Sequence, residues 1–124
     1  MEAPLAPSTH ARGVAAEAAA ADWLVGRGYE ILERNFDTPA GEIDLVARDG
    51  ETLCFIEVKA RAVPDCGSPL EAVDDRRRRR LGRAASLYLV HHEWSGPCRF
   101  DVVGMSPGPR GWSFELVQDA FELA

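Results

Sequence analysis

The chain has 124 residues, which is enough for one hydrophobic core and too few for two domains of ordinary size. Hydrophobic residues make up 46% of it, and no apolar run approaches the roughly 20 residues of a membrane span, so neither a disordered chain nor a membrane protein is expected. The formal net charge of −6 means that any attraction to a polyanion must be local. Three scattered cysteines and the lack of a signal-peptide pattern predict a cytoplasmic protein without disulfides.

The first predicted element is a helix over residues 9–27. It follows a Pro- and Ala-rich tail, residues 1–8, that we expect to be disordered, so the folded domain is expected to cover residues 9–124. Three- and four-residue spacing in this helix predicts a buried stripe of Val14, Ala18, Ala21 and Val25. Glu17 falls on the flank of that stripe, close to the buried side.

Two strand segments follow the helix. Residues 29–32 form a short candidate strand, and a polar stretch separates them from residues 42–47. Alternating polarity in the second segment predicts that Ile43 and Leu45 share one face, while the opposite face carries Glu42 and Asp44.

A tight turn and a third strand come next. The Asp-Gly pair at residues 49–50 suits a hairpin turn that needs positive φ. Residues 52–60 give the longest strand signal, because they are rich in apolar and β-branched residues. Alternation predicts one face with Leu53, Phe55, Glu57 and Lys59, and the other with Cys54, Ile56 and Val58.

The second half of the chain predicts a loop at residues 62–69 and then a long helix. This helix starts near residue 70 or 74 and ends at His91, with a buried stripe of Val73, Leu81, Ala84, Ala85 and Tyr88. Strands over residues 99–105 and 112–117 and a short helix over residues 120–123 complete the list. The fold class is α/β, a mixed sheet flanked by helices, in which the strand after the second helix runs parallel to the third strand.

Asp44, Glu57 and Lys59 carry the main chemical signal. Glu57 and Lys59 are two residues apart on one strand, so both side chains point the same way. Asp44 lies on the preceding antiparallel strand, and the hairpin would bring it beside Glu57. Charges in otherwise apolar strands are costly unless they are paired or bind metal. We therefore expect two carboxylates and one ammonium to meet at one end of the sheet.

Two carboxylates at such a place are typical of a site for Mg²⁺ or Mn²⁺, which prefer oxygen ligands. We expect Asp44, Glu57 and the backbone carbonyl of Val58 to supply them. Lys59 is the only lysine among the 14 Lys and Arg residues. Its compact ammonium can hold or deprotonate a water and offset charge on phosphoryl oxygens. The pattern favours metal-dependent hydrolysis of a phosphodiester.

Five consecutive arginines in the second helix are the one concentrated source of positive charge: Arg76, Arg77, Arg78, Arg79 and Arg80. They are candidates to bind nucleic acid. Consecutive helical residues spread around the whole circumference, however, so the five cannot all face one ligand.

Three segments resemble a known bacterial family: residues 41–46 (GEIDLV), 55–61 (FIEVKAR) and 99–103 (RFDVV). They are similar to the signatures of the YraN family, which is grouped with the PD-(D/E)xK nucleases and is distantly similar to archaeal Holliday-junction resolvases. The resemblance implies a restriction-endonuclease-like fold and an endonuclease that acts on DNA, including branched or damaged DNA. The resolvase likeness also implies a homodimer, because symmetric cutting of a junction needs two sites.

The resemblance implies a role for each matched residue. Asp44 and Glu57 correspond to metal ligands and Lys59 to the catalytic lysine. Glu17 resembles a helix-borne glutamate that assists at the metal in the resolvase-like branch. Glu42 matches a family glutamate to which the resemblance assigns no role. Two positions depart from the pattern: Ile43 replaces a proline of the superfamily, and Asp37 stands where a basic residue is expected.

Two other interpretations are open. The chain could keep the nuclease fold as a catalytically silent module that binds nucleic acid or protein, as its acidic net charge suggests. Alternatively, Glu57 and Lys59 could be an ordinary ion pair at the end of a strand. The last interpretation leaves the expected approach of Asp44 unexplained, and we rank it below the other two.

Overall fold

The computed structural model of the chain describes residues 9–60 and 73–122. They form two helices and five strands: α1 (Thr9–Gly26), β1 (Glu30–Thr38), β2 (Gly41–Asp49), β3 (Thr52–Ala60), α2 (Asp75–His91), β4 (Cys98–Gly108) and β5 (Gly111–Val117). The expected tail, residues 1–8, and the expected loop, residues 62–69, lie outside this part of the chain. Within it, neither helix is long and apolar enough to cross a membrane.

The strands form one mixed sheet in the order β1-β2-β3-β4-β5. Neighbouring strands are antiparallel except β3 and β4, which run parallel. A parallel pair needs a crossover connection, and α2 lies between these two strands in the chain. The predicted parallel pairing and the predicted α/β class are therefore confirmed, and the architecture is consistent with a restriction-endonuclease-like fold.

Each face of the sheet is covered by one helix. Along β3, Leu53 and Phe55 pack with α2 in one apolar cluster, whereas Cys54 and Ile56 pack with α1 in another. The predicted alternation of this strand is confirmed. The predicted stripe of the second helix is also buried, at Val73, Leu81, Ala84, Ala85 and Tyr88.

α1 packs on the sheet through small side chains. Its buried residues are Ala16, Ala20, Ala21 and Leu24. The predicted stripe was wrong at Val25, whose side chain is 54% exposed. Seven of the 18 residues of α1 are alanines, so the apolar spacing does not distinguish its faces well. Small residues let a helix approach its neighbour closely, and Glu17, next to Ala16, is thereby held near the sheet.

β1 extends to Thr38, beyond the predicted end at residue 32. It lies at the edge of the sheet, and its exposed and partly buried residues alternate. Edge positions tolerate polar side chains on the solvent face. The second half of β1 was therefore not predicted, because its residues before position 39 are mostly polar.

The predicted helix over residues 120–123 is wrong for residues 120–122, which have no helical structure. The N–H of Ala120 instead donates to the carbonyl of Phe100 at 2.7 Å. The Phe121 ring stacks on Phe100 with centroids 4.7 Å apart. Burial of one aromatic ring, rather than helix formation, fixes this segment on the α2 side of the sheet.

Candidate active site

Asp44 lies at an irregular point of β2. Ile43 packs with α2 on one face of the sheet, and Leu45 packs with α1 on the other. The predicted common face of these two residues was therefore wrong. The register places Asn35 of β1 opposite Asp44, and Asn35 has a φ of +52°, a conformation that asparagine tolerates better than most residues. Neither Asn35 nor Asp44 is among the paired residues of β1 and β2, so the pairing is interrupted at this point.

The Asp44 carboxylate closes the end of the β2–β3 ladder. The paired register ends at Leu45 opposite Ile56. Beyond that pair, Asp44 Oδ2 accepts a hydrogen bond from the backbone N–H of Val58 at 2.8 Å. A side chain thus satisfies a backbone donor that would otherwise be left in a partly buried position. The bond ties Asp44 to the residue between Glu57 and Lys59.

Glu57 is a buried carboxylate that already has a cationic partner. Its residue is only 4% exposed. The Arg77 Nε atom of α2 lies 2.9 Å from Glu57 Oε1. Nevertheless, this buried Nε makes no hydrogen bond of good geometry to any described residue. The two groups therefore lie at ion-pair distance without a well-directed hydrogen bond from Nε.

Three further acidic groups meet beside Glu57. Oxygen atoms of Glu17, Glu42 and Asp44 all lie within 4.8 Å of one another. Glu17 Oε2 is buried and has no hydrogen-bond partner among residues 9–60 and 73–122. Carboxylate oxygens are the donors that hard divalent cations prefer, and opposite ligands of Mg²⁺ lie about 4 Å apart. The donor set and the buried Glu17 oxygen therefore fit a divalent cation.

Two of these glutamates hold protons more tightly than glutamates in water. Burial, then the charge of Asp44, raises the pKa of Glu57 to about 8, although Arg77 and Lys59 oppose the change. Burial, then Asp44, raises the pKa of Glu17 to about 7, and a hydrogen bond with Asn35 opposes it. Asp44 thus raises the pKa of both glutamates. In the absence of a cation, protons therefore offset the repulsion in this cluster.

Lys59 lies close enough to the same groups to interact with their charges. Burial lowers its pKa first and Arg77 lowers it further, while Glu57 and Asp44 raise it. Arg80 adds a smaller lowering effect. A lysine with a lowered pKa releases a proton more readily than an exposed one. The structure thus brings together the predicted residues Asp44, Glu57, Lys59 and Glu17.

The five arginines of α2 point in different directions. Arg77 reaches Glu57, and the stem of Arg80 passes beside Gly41 at the start of β2. Arg78 donates through Nε to the carbonyl of Val73 at 3.0 Å and lies over the Phe121 ring. Of the other two, Arg76 is exposed, and Arg79 lines an open groove beside α2.

Comparison with known proteins identifies the family of this chain. The profile of the uncharacterised protein family UPF0102 matches residues 16–105. The chain is 50% identical over 111 residues to a UPF0102 protein of Symbiobacterium thermophilum, which covers 88% of this chain and 94% of that one. It belongs to the UPF0102 family. This is the YraN family that the three sequence segments indicated, and the matched residues include every predicted catalytic position.

Other UPF0102 relatives match over similar lengths. A protein of Moorella thermoacetica is 52% identical over 113 residues, covering 89% of this chain and 94% of its own. One of Chromohalobacter salexigens is 45% identical over 111 residues, with 90% of each chain covered. The names of these relatives state the family and no activity. The similarity therefore establishes membership of the UPF0102 family, and any chemical activity has to be inferred from the geometry of the site.

Three residues of this UPF0102 site were not singled out by the sequence. Arg77 was only one member of the arginine run, and its spacing of three from Arg80 was the available signal that both share a helix face. Asn35 gave no signal, because nothing local predicts its left-handed conformation. Glu42 was noted without a role, and the structure places it beside Glu17 and Asp44.

Proposed function

We propose that the protein is a metal-dependent endonuclease that hydrolyses phosphodiester bonds in DNA. The observation that carries the proposal is the convergence of carboxylates on Asp44, with Lys59 on the same strand face as Glu57. Structural ion pairs seldom gather several acidic groups whose charges repel, because each unpaired buried charge is costly. A cation-binding role explains why the chain retains that repulsion.

Mg²⁺ or Mn²⁺ is the cofactor that suits these donors. Glu17, Glu42, Asp44 and Glu57 are the residues that would hold it, and the Val58 carbonyl is a further candidate oxygen. When bound, the cation supplies a Lewis acid that polarises the phosphodiester and favours ionisation of water. The buried Glu17 oxygen without a partner supports this assignment, because such an atom is satisfied by a cation.

Lys59 is the residue that handles a proton or a phosphoryl charge. Its pKa is lowered by burial and by Arg77, so a fraction of the amine is deprotonated at lower pH than in an exposed lysine. The neutral amine can take a proton from the attacking water, and the ammonium can offset negative charge on the substrate. Arginine, which stays protonated, cannot exchange between these two states.

The nature of the substrate follows from charge and from family likeness. The net charge of −6 opposes binding to a polyanion, so the cations at the site itself must provide the local attraction. The charges of Lys59 and Arg77 act on Glu57, and that of Arg80 acts on Lys59. The resemblance to Holliday-junction resolvases favours branched or damaged DNA and a homodimeric enzyme.

The first test measures DNA cleavage in the presence of a divalent cation. Purified protein with Mn²⁺ should nick or resolve a labelled four-way DNA junction or a nicked duplex. Asp44→Ala and Lys59→Ala should each abolish cutting while the circular dichroism spectrum stays that of the folded wild type. Glu51→Gln, an exposed acidic residue at the β2–β3 turn, is the matched control and should cut normally. Cutting that survives both site substitutions would come from a contaminant and would contradict the proposal.

A catalytically silent module is the second candidate, and one observation favours it. Arg77 already neutralises Glu57, which is the arrangement expected of a site that needs no cation. Calorimetric titration with Mn²⁺ separates the two functions. Heat of binding that is lost in Glu57→Ala supports the enzyme. No heat in the wild type, with DNA affinity retained, supports the module.

A further inference from the structure

Arg77 and Arg80 share one side of α2, because they are three residues apart. Arg77 contacts the buried Glu57 carboxylate, and Arg80 passes beside Gly41, one residue before Glu42. Positive charge from both guanidinium groups reaches Lys59. The site therefore has an acidic half on the sheet and α1, and a cationic half on α2 and the end of β3.

If the proposed function holds, the Glu57 carboxylate has two alternative cationic partners, Arg77 and the divalent ion. Arg77 Nε lies 2.9 Å from Oε1, and a divalent ion at Glu57 needs an oxygen of the same carboxylate. A buried carboxylate can accept either partner as its counter-charge, but a second full positive charge at the same distance is repelled by the first. Cation binding at Glu57 therefore weakens the Arg77–Glu57 pair.

The Arg77 contact has the geometry of a pair that can be exchanged. Its Nε finds no well-directed hydrogen bond among the described residues, so the loss on separation is mainly Coulombic. The side chain is 32% exposed, so its outer end reaches the surface, where a ligand has access. A guanidinium group presents several N–H donors in a planar fork, which suits two oxygens of one phosphate.

Gly41 has the conformation and the space that the second arginine needs. Its φ is +136°, and a Cβ atom there would lie 3.0 Å from Arg80 Cδ. The stem of Arg80 therefore lies directly against the backbone at the start of β2. This contact holds the Arg80 stem beside the residue before Glu42, and the charge of Arg80 acts on Lys59, as that of Arg77 does.

We propose that Arg77 and Arg80 are phosphate-binding residues of the site, and that Arg77 exchanges Glu57 for a phosphate of the nucleic-acid backbone when a divalent cation is bound. This inference rests on the proposed function. The exchange requires no covalent step. It explains why Glu57, a buried candidate metal ligand, has an arginine partner. Without metal, Arg77 is the counter-charge of Glu57. With metal bound, the divalent ion takes that role, and Arg77 is free to offset the charge of a substrate phosphate.

The test measures DNA affinity with and without a cation that does not support cutting. A fluorescently labelled four-way DNA junction is titrated by anisotropy in EDTA and in Ca²⁺. In Ca²⁺, Arg77→Met should weaken binding about tenfold, the loss of one charge-assisted contact. It should also reduce the slope of log K against log salt by about 1. In EDTA, Arg77 stays paired with Glu57, so Arg77→Met should bind like the wild type.

Three variants make the result specific. Arg80→Met should weaken DNA binding in Ca²⁺ like Arg77→Met. Arg79→Met is the matched control, because Arg79 is two residues from Arg77 and lines a groove on another side of the same helix, and it should change affinity less than twofold. Arg77→Lys keeps the charge beside Glu57 but lacks the fork, so it should fold like the wild type and still lose most of the Ca²⁺-dependent gain. It keeps the test valid if Arg77→Met is unstable.

Mn²⁺ calorimetry distinguishes failure of this inference from failure of the proposed function. Arg77→Met should bind Mn²⁺ as tightly as the wild type or several-fold more tightly, because a competitor for Glu57 is gone. Loss of Mn²⁺ affinity in Arg77→Met, or equal DNA affinity of wild type and variant in Ca²⁺, would overturn the exchange while leaving the enzyme intact. A wild type that binds no Mn²⁺ would overturn the proposed function and this inference together.

Discussion

The Asp44 carboxylate accepts a hydrogen bond from the backbone N–H of Val58 at 2.8 Å, at the point where β2 and β3 stop pairing. One side chain therefore has two tasks. It satisfies a backbone donor between Glu57 and Lys59, and it gives the acidic cluster a common member, because Asp44 contacts both Glu17 and Glu57. The two tasks can be separated by substitution.

Asp44→Asn and Asp44→Ala should differ in stability but not in metal binding. The Asn oxygen still accepts from Val58, whereas Ala leaves that N–H without its partner, at a cost of about 1–3 kcal/mol. Asn also removes the charge that repels Glu17 and Glu57, so at pH 8 its Tm should exceed that of the wild type without metal. Both variants should lose Mn²⁺ affinity in calorimetry. Equal Tm values for the two variants would show that the hydrogen bond contributes little.

The metal-free domain should become less stable as pH rises from 5 to 9. The folded pKa values of Glu57 and Glu17, about 8 and about 7, lie above the value of about 4.5 in the unfolded chain. The sign follows from linkage: protons bind the folded state more tightly, so this stabilisation is fully present below 4.5 and is lost through 7 and 8. Thermal denaturation across that range should detect the loss, because about 1 kcal/mol shifts the Tm of a domain of this size by about 4 °C.

Glu57→Gln is the control for this pH dependence. It removes one of the two titrating groups, so its stability should vary less with pH than that of the wild type. Added Mn²⁺ should have the opposite effect from protons and stabilise the wild type most at high pH, where the carboxylates are ionised. A wild-type curve parallel to that of Glu57→Gln would show that Glu57 titrates normally.

Glu42 should contribute to cation binding as Glu17 does. Its carboxylate oxygen lies within 4.8 Å of those of Glu17 and Asp44. Glu42→Gln and Glu17→Gln should each weaken Mn²⁺ binding about tenfold, since each removes a charged ligand from a small set. Glu51→Gln should leave the affinity unchanged. If Glu42→Gln behaves like Glu51→Gln, Glu42 has another role and the cation is held by the remaining carboxylates.

The sequence predicted the parts of the site that depend on strand alternation and on family likeness. Glu57 and Lys59 share a face of β3 as expected, because that strand is regular and its apolar residues fix the register. Asp44 lies beside its predicted neighbours, but the irregularity of β2 at this residue was not predicted. The irregularity opposite Asn35 reverses the faces of β2, so simple alternation gave a wrong orientation for Ile43 or Leu45.

The unpredicted parts of the site depend on tertiary contacts. Nothing in the sequence places α2 so that Arg77 reaches across to a strand 20 positions earlier. Likewise, the burial of Glu17 depends on how closely an alanine-rich helix approaches the sheet, and the apolar spacing of that helix wrongly included Val25 in the buried stripe. Local patterns define elements and their faces, whereas the approach between elements depends on side chains that are distant in the sequence.

Tyr29→Phe should destabilise the fold without affecting the site. The Tyr29 hydroxyl donates to the buried Asp101 at 3.1 Å and accepts from Arg99 at 2.9 Å and Gln118 at 2.8 Å. Removing it takes one hydrogen bond from each of these three groups, at a cost of about 1–3 kcal/mol in urea denaturation. Mn²⁺ affinity should be unchanged, because none of these residues belongs to the acidic cluster.

Asp49→Asn is the milder companion to that substitution. Asp49 pairs with Arg99 at 2.8 Å, but its side chain is 39% exposed. A partly exposed pair contributes about 0–1 kcal/mol, so this variant should lose less stability than Tyr29→Phe. The opposite order would place the stabilisation in the Arg99–Asp49 pair.

Gly41→Ala should be coupled to Arg80 in a double-mutant cycle. The substitution forces alanine to a φ of +136° and places Cβ 3.0 Å from Arg80 Cδ, so it carries backbone strain and a steric contact. Arg80→Ala removes the contact and leaves the strain. Urea denaturation of both single variants and the double variant should therefore give a coupling energy above about 0.5 kcal/mol. Gly28→Ala, with a φ of +96° and nothing within 4 Å of the added carbon, is the control and should be additive with Arg80→Ala. Additivity at Gly41 as well would mean that Arg80 moves aside freely, and that its approach to the carboxylates is not fixed by this glycine.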